Sequence, residues 1–167
     1  MDRREENKKD LGFYRARLND SDVLYDIIDR EVFPSGIHEV IQRLKIPEIY
    51  VFISSENNAI LVYEPVFGDI PWCNCHTWTK KSCRGKKLKE FFWKTGIWMV
   101  HNTKYMTFTS IITPDLKRQG LFLSAIGAKR QFEDGSGNVC YTFDKAMFEE
   151  VKEKLGVTSD ILRLYKG

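Results

Sequence analysis

Two strand-like runs with a long helical stripe between them constrain this chain more than any other feature. Trp72 to Thr79 and Tyr105 to Ile112 are rich in aromatic and β-branched residues, the composition of strands. Between them, Leu88, Phe91, Phe92, Thr95, Trp98 and Met99 recur at i, i+3, i+4, i+7, i+10 and i+11. That spacing lays one broad apolar stripe along a helix, which must pack on the sheet. A helix between two strands carries the chain back across a sheet face, so the strands it joins run parallel.

The rest of the chain predicts antiparallel pairs. Phe13 to Leu18 alternates bulky and polar residues, as a half-buried strand does. Val23, Leu24, Ile27, Ile28 and Val32 predict a helix over 21–33, behind the cap residues Asn19, Asp20 and Ser21. Ile37, Val40, Ile41 and Leu44 predict a second helix over 37–45, ended by Pro47. Ile49 to Ile53 and Ala59 to Glu64 flank the turn Glu56-Asn57-Asn58 and form a hairpin. Thr113-Pro114-Asp115 opens a helix that runs to Ile126, with Gly127 just past its end. Ala128 to Glu133 and Val139 to Phe143 flank Asp134-Gly135-Ser136-Gly137-Asn138, another hairpin, and a last helix covers 145–155. The expected fold class is mixed α/β, with a mostly antiparallel sheet, one parallel crossover and helices on both faces. Residues 1–12, polar and of mixed charge, predict a flexible arm ahead of a single domain over 13–167.

Composition narrows the function classes. An apolar fraction of 43%, with four Trp, seven Tyr and eleven Phe, excludes a disordered chain. No apolar run approaches the roughly 18–20 residues of a membrane span. The N-terminal MDRREENKKD lacks the apolar core of a secretory signal. A cytoplasmic protein is expected, with free thiols at Cys73, Cys75, Cys83 and Cys140. The net charge of +3 is too small for a dedicated polycation, which argues against nucleic acid as the main partner. Its distribution says more. Lys80, Lys81, Arg84, Lys86, Lys87 and Lys89 fall within ten positions at the start of the long helix. A helix N-terminus offers unpaired N–H donors and a positive dipole end to an anion. A phosphate ligand is therefore one expectation for this loop; a solvated loop, or one docked on nucleic acid or an acidic protein, is the other.

Over residues 13–143 this order of elements resembles the GCN5-related N-acetyltransferase (GNAT) family. In that family a strand leads into a loop with Arg/Gln-x-x-Gly-x-Gly/Ala, which opens a long helix and binds the acetyl-CoA pyrophosphate. Here Arg84-Gly85-Lys86-Lys87-Leu88-Lys89 stands at that place. The helix-then-hairpin that follows in the family is similar to Leu121 through Arg130, with Gly127 at the helix end. The resemblance implies a GNAT-like acyl-CoA N-acyltransferase fold, acetyl-CoA as cofactor and an amine acceptor. It also implies cofactor contacts at Thr77, Trp78, Thr79, Arg84, Gly85, Lys86, Lys87 and Lys89. Three positions depart from the pattern. Lys87 and Lys89 replace small residues of the loop, and Leu123 stands where many members carry a tyrosine acid. The chain also resembles small phage-encoded GNAT-like proteins, some associated with virion head assembly. A catalytically degenerate fold that binds a protein partner is thus the alternative function.

Among chemical side chains, His76 lies on the strand that would line the acyl-transfer cleft and is the candidate general base. Glu64, Tyr141 and His101 are weaker candidates, and either water or Tyr141 substitutes for the missing acid. Cys73, Cys75, His76 and Cys83 do not read as a zinc site, so no metal is expected. Cys73 and Cys75 share one strand face, His76 points to the other, and the paired Cys-x-x-Cys units of a zinc ribbon are missing.

Overall fold

A computed structural model describes residues 3–28, 35–66, 70–80, 82–83, 85–158 and 162. Seven strands form one sheet in the order β1-β2-β3-β4-β5-β7-β6. They are β1 (Phe13–Arg15), β2 (Tyr50–Ser54), β3 (Ala59–Pro65), β4 (Trp72–Thr79), β5 (Thr107–Ile112), β6 (Lys129–Glu133) and β7 (Val139–Asp144). The helices are α1 (Arg3–Asp10), α2 (Ser21–Ile27), α3 (Gly36–Leu44), α4 (Lys86–Asn102), α5 (Lys117–Ala125) and α6 (Lys145–Lys154). The pair β4–β5 is parallel and the other five pairs are antiparallel. The mixed α/β architecture and the crossover through α4 follow the sequence expectation.

Alternation along each strand sends side chains to two cores. One face buries Phe52, Leu61, Tyr63, Cys73, Cys75, Phe108 and Phe143 together with Phe92, Trp98 and Phe148 of α4 and α6. The other buries Tyr14, Val51, Ile53, Ile60 and Val62 with Leu24, Ile27, Ile37 and Val40 of α2 and α3. All six residues of the α4 stripe are buried. At about 1.5–3 kcal/mol for each fully buried large side chain, this stripe is the main anchor of the crossover. Thr95 within it is polar yet 0% exposed. Its hydroxyl donates to the Phe92 carbonyl (3.0 Å) and accepts from the Tyr63 hydroxyl (2.8 Å), which ties α4 to β3.

Helix ends follow local chemistry. Asp144 caps α6 by accepting from the Met147 N–H at 3.0 Å. At the end of α5, Gly127 has φ +97°, and Ala128 and Gly127 donate to the Leu123 and Ser124 carbonyls at 3.0 and 3.1 Å. That is a Schellman closure, and it needs a residue without Cβ strain at Gly127.

Three local expectations change. Residues 3–10 form helix α1 where a flexible arm was expected; Lys8 pairs with Glu5 at 2.8 Å, and the following Leu11 is 0% exposed. Strand β1 ends at Arg15, because Leu18–Asp20 turns into a 3-10 segment. The segment after Thr113 also begins as a 3-10 turn, Pro114–Leu116, before α5. The last residues of the helix expected over 21–33 lie outside the described residues.

Close approach of α4 and α6 depends on Gly96. A Cβ there would lie 2.1 Å from Phe148 Cε1. The ring has no room to retreat, because Trp93 and Phe108 meet it edge-on with centroids at 5.4 Å. Gly96→Ala is therefore expected to destabilise the fold by about 1–3 kcal/mol, although Ala is the better helix former by roughly 1 kcal/mol. Thermal unfolding checks this: a melting temperature at or above that of the parent would contradict the packing described.

Candidate functional site

The site begins where the sheet opens. β4 and β5 pair at three positions only: Trp72 with Thr107, Cys73 with Phe108, and Asn74 with Thr109. β4 continues to Thr79 with β3 on one side, but no described strand pairs with its other edge beyond Asn74. The two strands diverge there and leave a wedge.

The β3 ladder decides which backbone groups face the wedge. Lys80 donates to the Asn58 carbonyl at 2.8 Å, and Val66 to the Trp72 carbonyl at 2.9 Å. In an antiparallel ladder, hydrogen-bonded positions alternate with outward ones. Residues 74, 76 and 78 therefore bond to β3, and Cys75, Thr77 and Thr79 turn their N–H and C=O groups away from it. The Cys75 carbonyl accepts from the Ser110 hydroxyl of β5 at 3.5 Å, which agrees with this parity. The sequence expectation covered 77–79 evenly. Of these three residues the structure leaves the backbone groups of Thr77 and Thr79 off the β3 ladder, and packs the Trp78 side chain against the α2/α3 core.

Helix α4 starts seven residues past the end of β4. Lys89 donates to the Gly85 carbonyl at 3.1 Å as the first helical bond. The N–H groups of Lys86, Lys87 and Leu88 then have no acceptor within the helix. Gly85 has φ +65°, and nothing lies within 4 Å of the Cβ it lacks, so the space beside that residue is open. Lys86, Lys87 and Lys89 are exposed. The Lys87 ammonium pairs with Glu56 at 3.1 Å, which draws it toward the β2–β3 turn. Lys80 pairs with Asp26 of α2. Lys81 and Arg84 lie outside the described residues.

The side chains flanking the wedge come from both faces. His76 stands on the α2/α3 face, with its side chain 40% exposed and Nε2 at 3.5 Å from Glu64 Oε2. Arg43 of α3 donates from Nε to the same oxygen at 2.9 Å. Partial burial is the largest influence on His76 and lowers its pKa, the Arg43 cation lowers it further, and the Glu64 and Glu39 carboxylates oppose both. The ring is thus neutral near pH 7. Tyr141 stands on the opposite face, 8% exposed, and its hydroxyl lies against α5 at Gly120. His76 and Tyr141 do not touch, because the sheet separates them. A ligand threaded between β4 and β5 would have one on each side.

Other candidates fall away from the wedge. His101 sits at the far end of α4, about 22 Å along the axis from Lys86. It lines a groove with Phe148 and Lys152 of α6 instead. Cys73, Cys75 and Cys83 share the α4-side core, and burial pushes the Cys73 thiol up to about 12, so these sulfurs are inert packing groups. Among the described residues, no three His, Cys, Asp or Glu side chains are grouped to hold a metal ion. No described helix is long and apolar enough to cross a membrane. Sequence reasoning missed Arg43, whose only signal was a cation on the polar side of a short amphipathic helix.

The depressed imidazole pKa has a consequence for stability. The folded state resists protonation of His76 more than the unfolded chain does. Its contribution is complete above the ordinary histidine value of about 6.5 and is lost as pH falls below it. His76→Gln is expected to lose less melting temperature than the parent between pH 7.5 and 5.5. Equal losses in the two proteins would contradict a partly buried, neutral His76.

Comparison with known proteins agrees with this fold. No family model matches the sequence, and no curated protein sequence matches it. Solved structures do match. FdhC, a nucleotide-linked sugar GNAT, superposes with a TM-score of 0.63 at 15% identity, over 87% of this chain and 93% of that one. The aminoglycoside acetyltransferase AAC(6′)-Ib, in complex with ribostamycin and coenzyme A, gives 0.64 at 13% identity, over 84% and 96%. The ribosomal-protein-S5-alanine acetyltransferase of Vibrio fischeri gives 0.61 at 12% identity, over 79% and 91%. At these identities the likeness concerns the backbone, and the chain has the fold of the GNAT acetyltransferases.

Proposed function

We propose that this chain is an N-acyltransferase that takes an acetyl group from acetyl-CoA and passes it to an amine. The observation that carries the reading is the β4–β5 wedge. An unpaired strand edge and an unpaired helix N-terminus open at the same end of β4. One neighbour of the same fold, AAC(6′)-Ib, forms complexes with coenzyme A or acetyl-CoA, two of them together with an aminoglycoside, an amine acceptor.

The residues divide the work as follows. The N–H groups of Lys86, Lys87 and Leu88 receive phosphate oxygens, with Gly85 giving clearance and Arg84, Lys86, Lys87 and Lys89 supplying positive charge. Thr77 and Thr79 offer backbone partners along β4, and a donor there polarises the reacting carbonyl. Trp78 supports the strand from the other face. Acetyl-CoA supplies a thioester whose C–S bond breaks as the acceptor nitrogen bonds to the carbonyl carbon. His76 takes the proton that the nitrogen loses. Tyr141 gives its phenolic proton to the departing sulfur and regains one from water. Its hydroxyl lies beside Gly120, one helical turn from Leu123, so a phenol from β7 reaches the same helix that Leu123 leaves without an acid.

A second reading keeps the fold without turnover, as a module that binds a protein, for example in phage assembly. The two lysines Lys87 and Lys89 in the first turn of α4 and the apolar Leu123 favour it. The pairing of Lys87 with Glu56 favours the enzyme, because it holds the bulk of one of those lysines aside.

Thermal shift with acetyl-CoA separates the two readings. A ligand at 100 times its dissociation constant is expected to stabilise the fold by about 2.7 kcal/mol, with less at high salt. No shift at millimolar acetyl-CoA would contradict the enzyme. Release of CoA thiol is then followed with a panel of polyamines, aminoglycosides and peptide α-amines. Tyr141→Phe and His76→Ala are each expected to lower kcat by roughly 100-fold or more while leaving the acetyl-CoA shift in place. Unchanged turnover in both variants would remove these residues from the chemistry.

A further inference from the structure

The charged groups around His76 form a chain that ends on the imidazole. Arg43 of α3 donates from Nε to Glu64 Oε2 at 2.9 Å, and the same oxygen lies 3.5 Å from His76 Nε2. The side chains are 22%, 33% and 40% exposed along that chain, so the contacts grow drier toward Arg43. Arginine stays charged at any working pH, and its Nε–H donation makes Glu64 Oε2 an acceptor. An ionised carboxylate accepts hydrogen bonds and donates none. His76 can therefore bond to Glu64 only through an N–H at Nε2, and a neutral ring then carries its lone pair on Nδ1.

We infer that Glu64 is a positioning residue, held by Arg43, that fixes His76 in the Nε2–H tautomer and leaves Nδ1 to take the acceptor's proton. This rests on the acyl-transfer reading for the identity of the proton donor, but the tautomer does not. The step balances: one proton passes from the acceptor nitrogen to Nδ1, and the imidazolium returns it to solvent once the product has left. The groups facing the ring from its neighbours are Arg43 and Glu39 of α3 and Glu64 of β3. The two carboxylates favour the charged ring, while burial and Arg43 favour the neutral one and prevail. Glu64 thus does two things at once. It selects the nitrogen that acts as base and limits how far the imidazole pKa falls.

Nitrogen-15 NMR of the imidazoles tests this without turnover. The chain has three histidines, and His76→Asn assigns the signal. The parent is expected to show neutral His76 protonated at Nε2. Glu64→Ala is expected to mix the tautomers. Glu64→Gln, which keeps the shape and removes the charge, is expected to move the His76 titration to lower pH. Arg43→Gln is expected to move it to higher pH, because a neighbouring cation is lost. An Nδ1–H tautomer in the parent, or a His76 spectrum that ignores both Glu64 variants, would overturn the assignment. With turnover in hand, Glu64→Ala should lower kcat by about 10- to 100-fold at unchanged KM for acetyl-CoA. The acid limb of the Glu64→Gln pH profile should move with the NMR titration. Absence of acetyl transfer in the parent would overturn the proton donor proposed for Nδ1 while leaving the tautomer result to stand or fall by NMR.

Discussion

The parallel pairing of β4 with β5, and its early end, is the constraint on which the rest of the structure depends. Three paired positions bring the two strands together, and the remaining five residues of β4 have no strand partner on that side. A sheet does not leave a strand edge unpaired in its middle without cause, since each unmatched backbone group inside a protein costs free energy. The divergence is sustained from both flanks. β4 is bonded to β3 over seven pairs, and β5 to β7 over six. Each strand is therefore held by its outer neighbour, and the gap between them persists.

Helix α4 connects the two sides of that gap and sets its shape. Its apolar stripe packs on the sheet, its Thr95 is bonded to Tyr63 of β3, and its Gly96 admits Phe148 of α6. Because the helix is anchored along its length, its first turn is presented at a fixed place near the end of β4. The same packing that stabilises the fold thus fixes the three backbone N–H groups of the first turn, seven residues along the chain from the end of β4. Fold and site are one arrangement here. The charges of the loop add attraction for an anion, but the direction comes from the helix.

Much of this could be read from the sequence, and the reasons differ by residue. The crossover was legible because six α4 residues keep helical spacing between two β-rich runs. Gly127 was legible because a glycine just past an apolar helix has one common use. Helix α1 was not, because Arg3–Asp10 has no apolar residue and its helicity rests on ion pairing and on Leu11, which packs after it. The wedge itself was not legible either. It depends on how many residues two strands pair before diverging, which no local pattern encodes. Nor was the parity that turns Thr77 and Thr79 outward and Trp78 inward, since that is set by the register with Ala59–Pro65. Arg43 escaped notice for a similar reason: only the register of β3 brings Glu64 under α3 and next to His76.

Backbone amide exchange, followed residue by residue with and without acetyl-CoA, tests the central claim most directly. The account predicts that the cofactor slows exchange, or shifts the amide signals, at Thr77, Thr79, Lys86, Lys87 and Leu88. His76 and Trp78, whose N–H groups already bond to β3, should change little. Protection confined to other surfaces, such as the groove between α4 and α6, or an even response across 76–79, would contradict a site built on the open edge of β4.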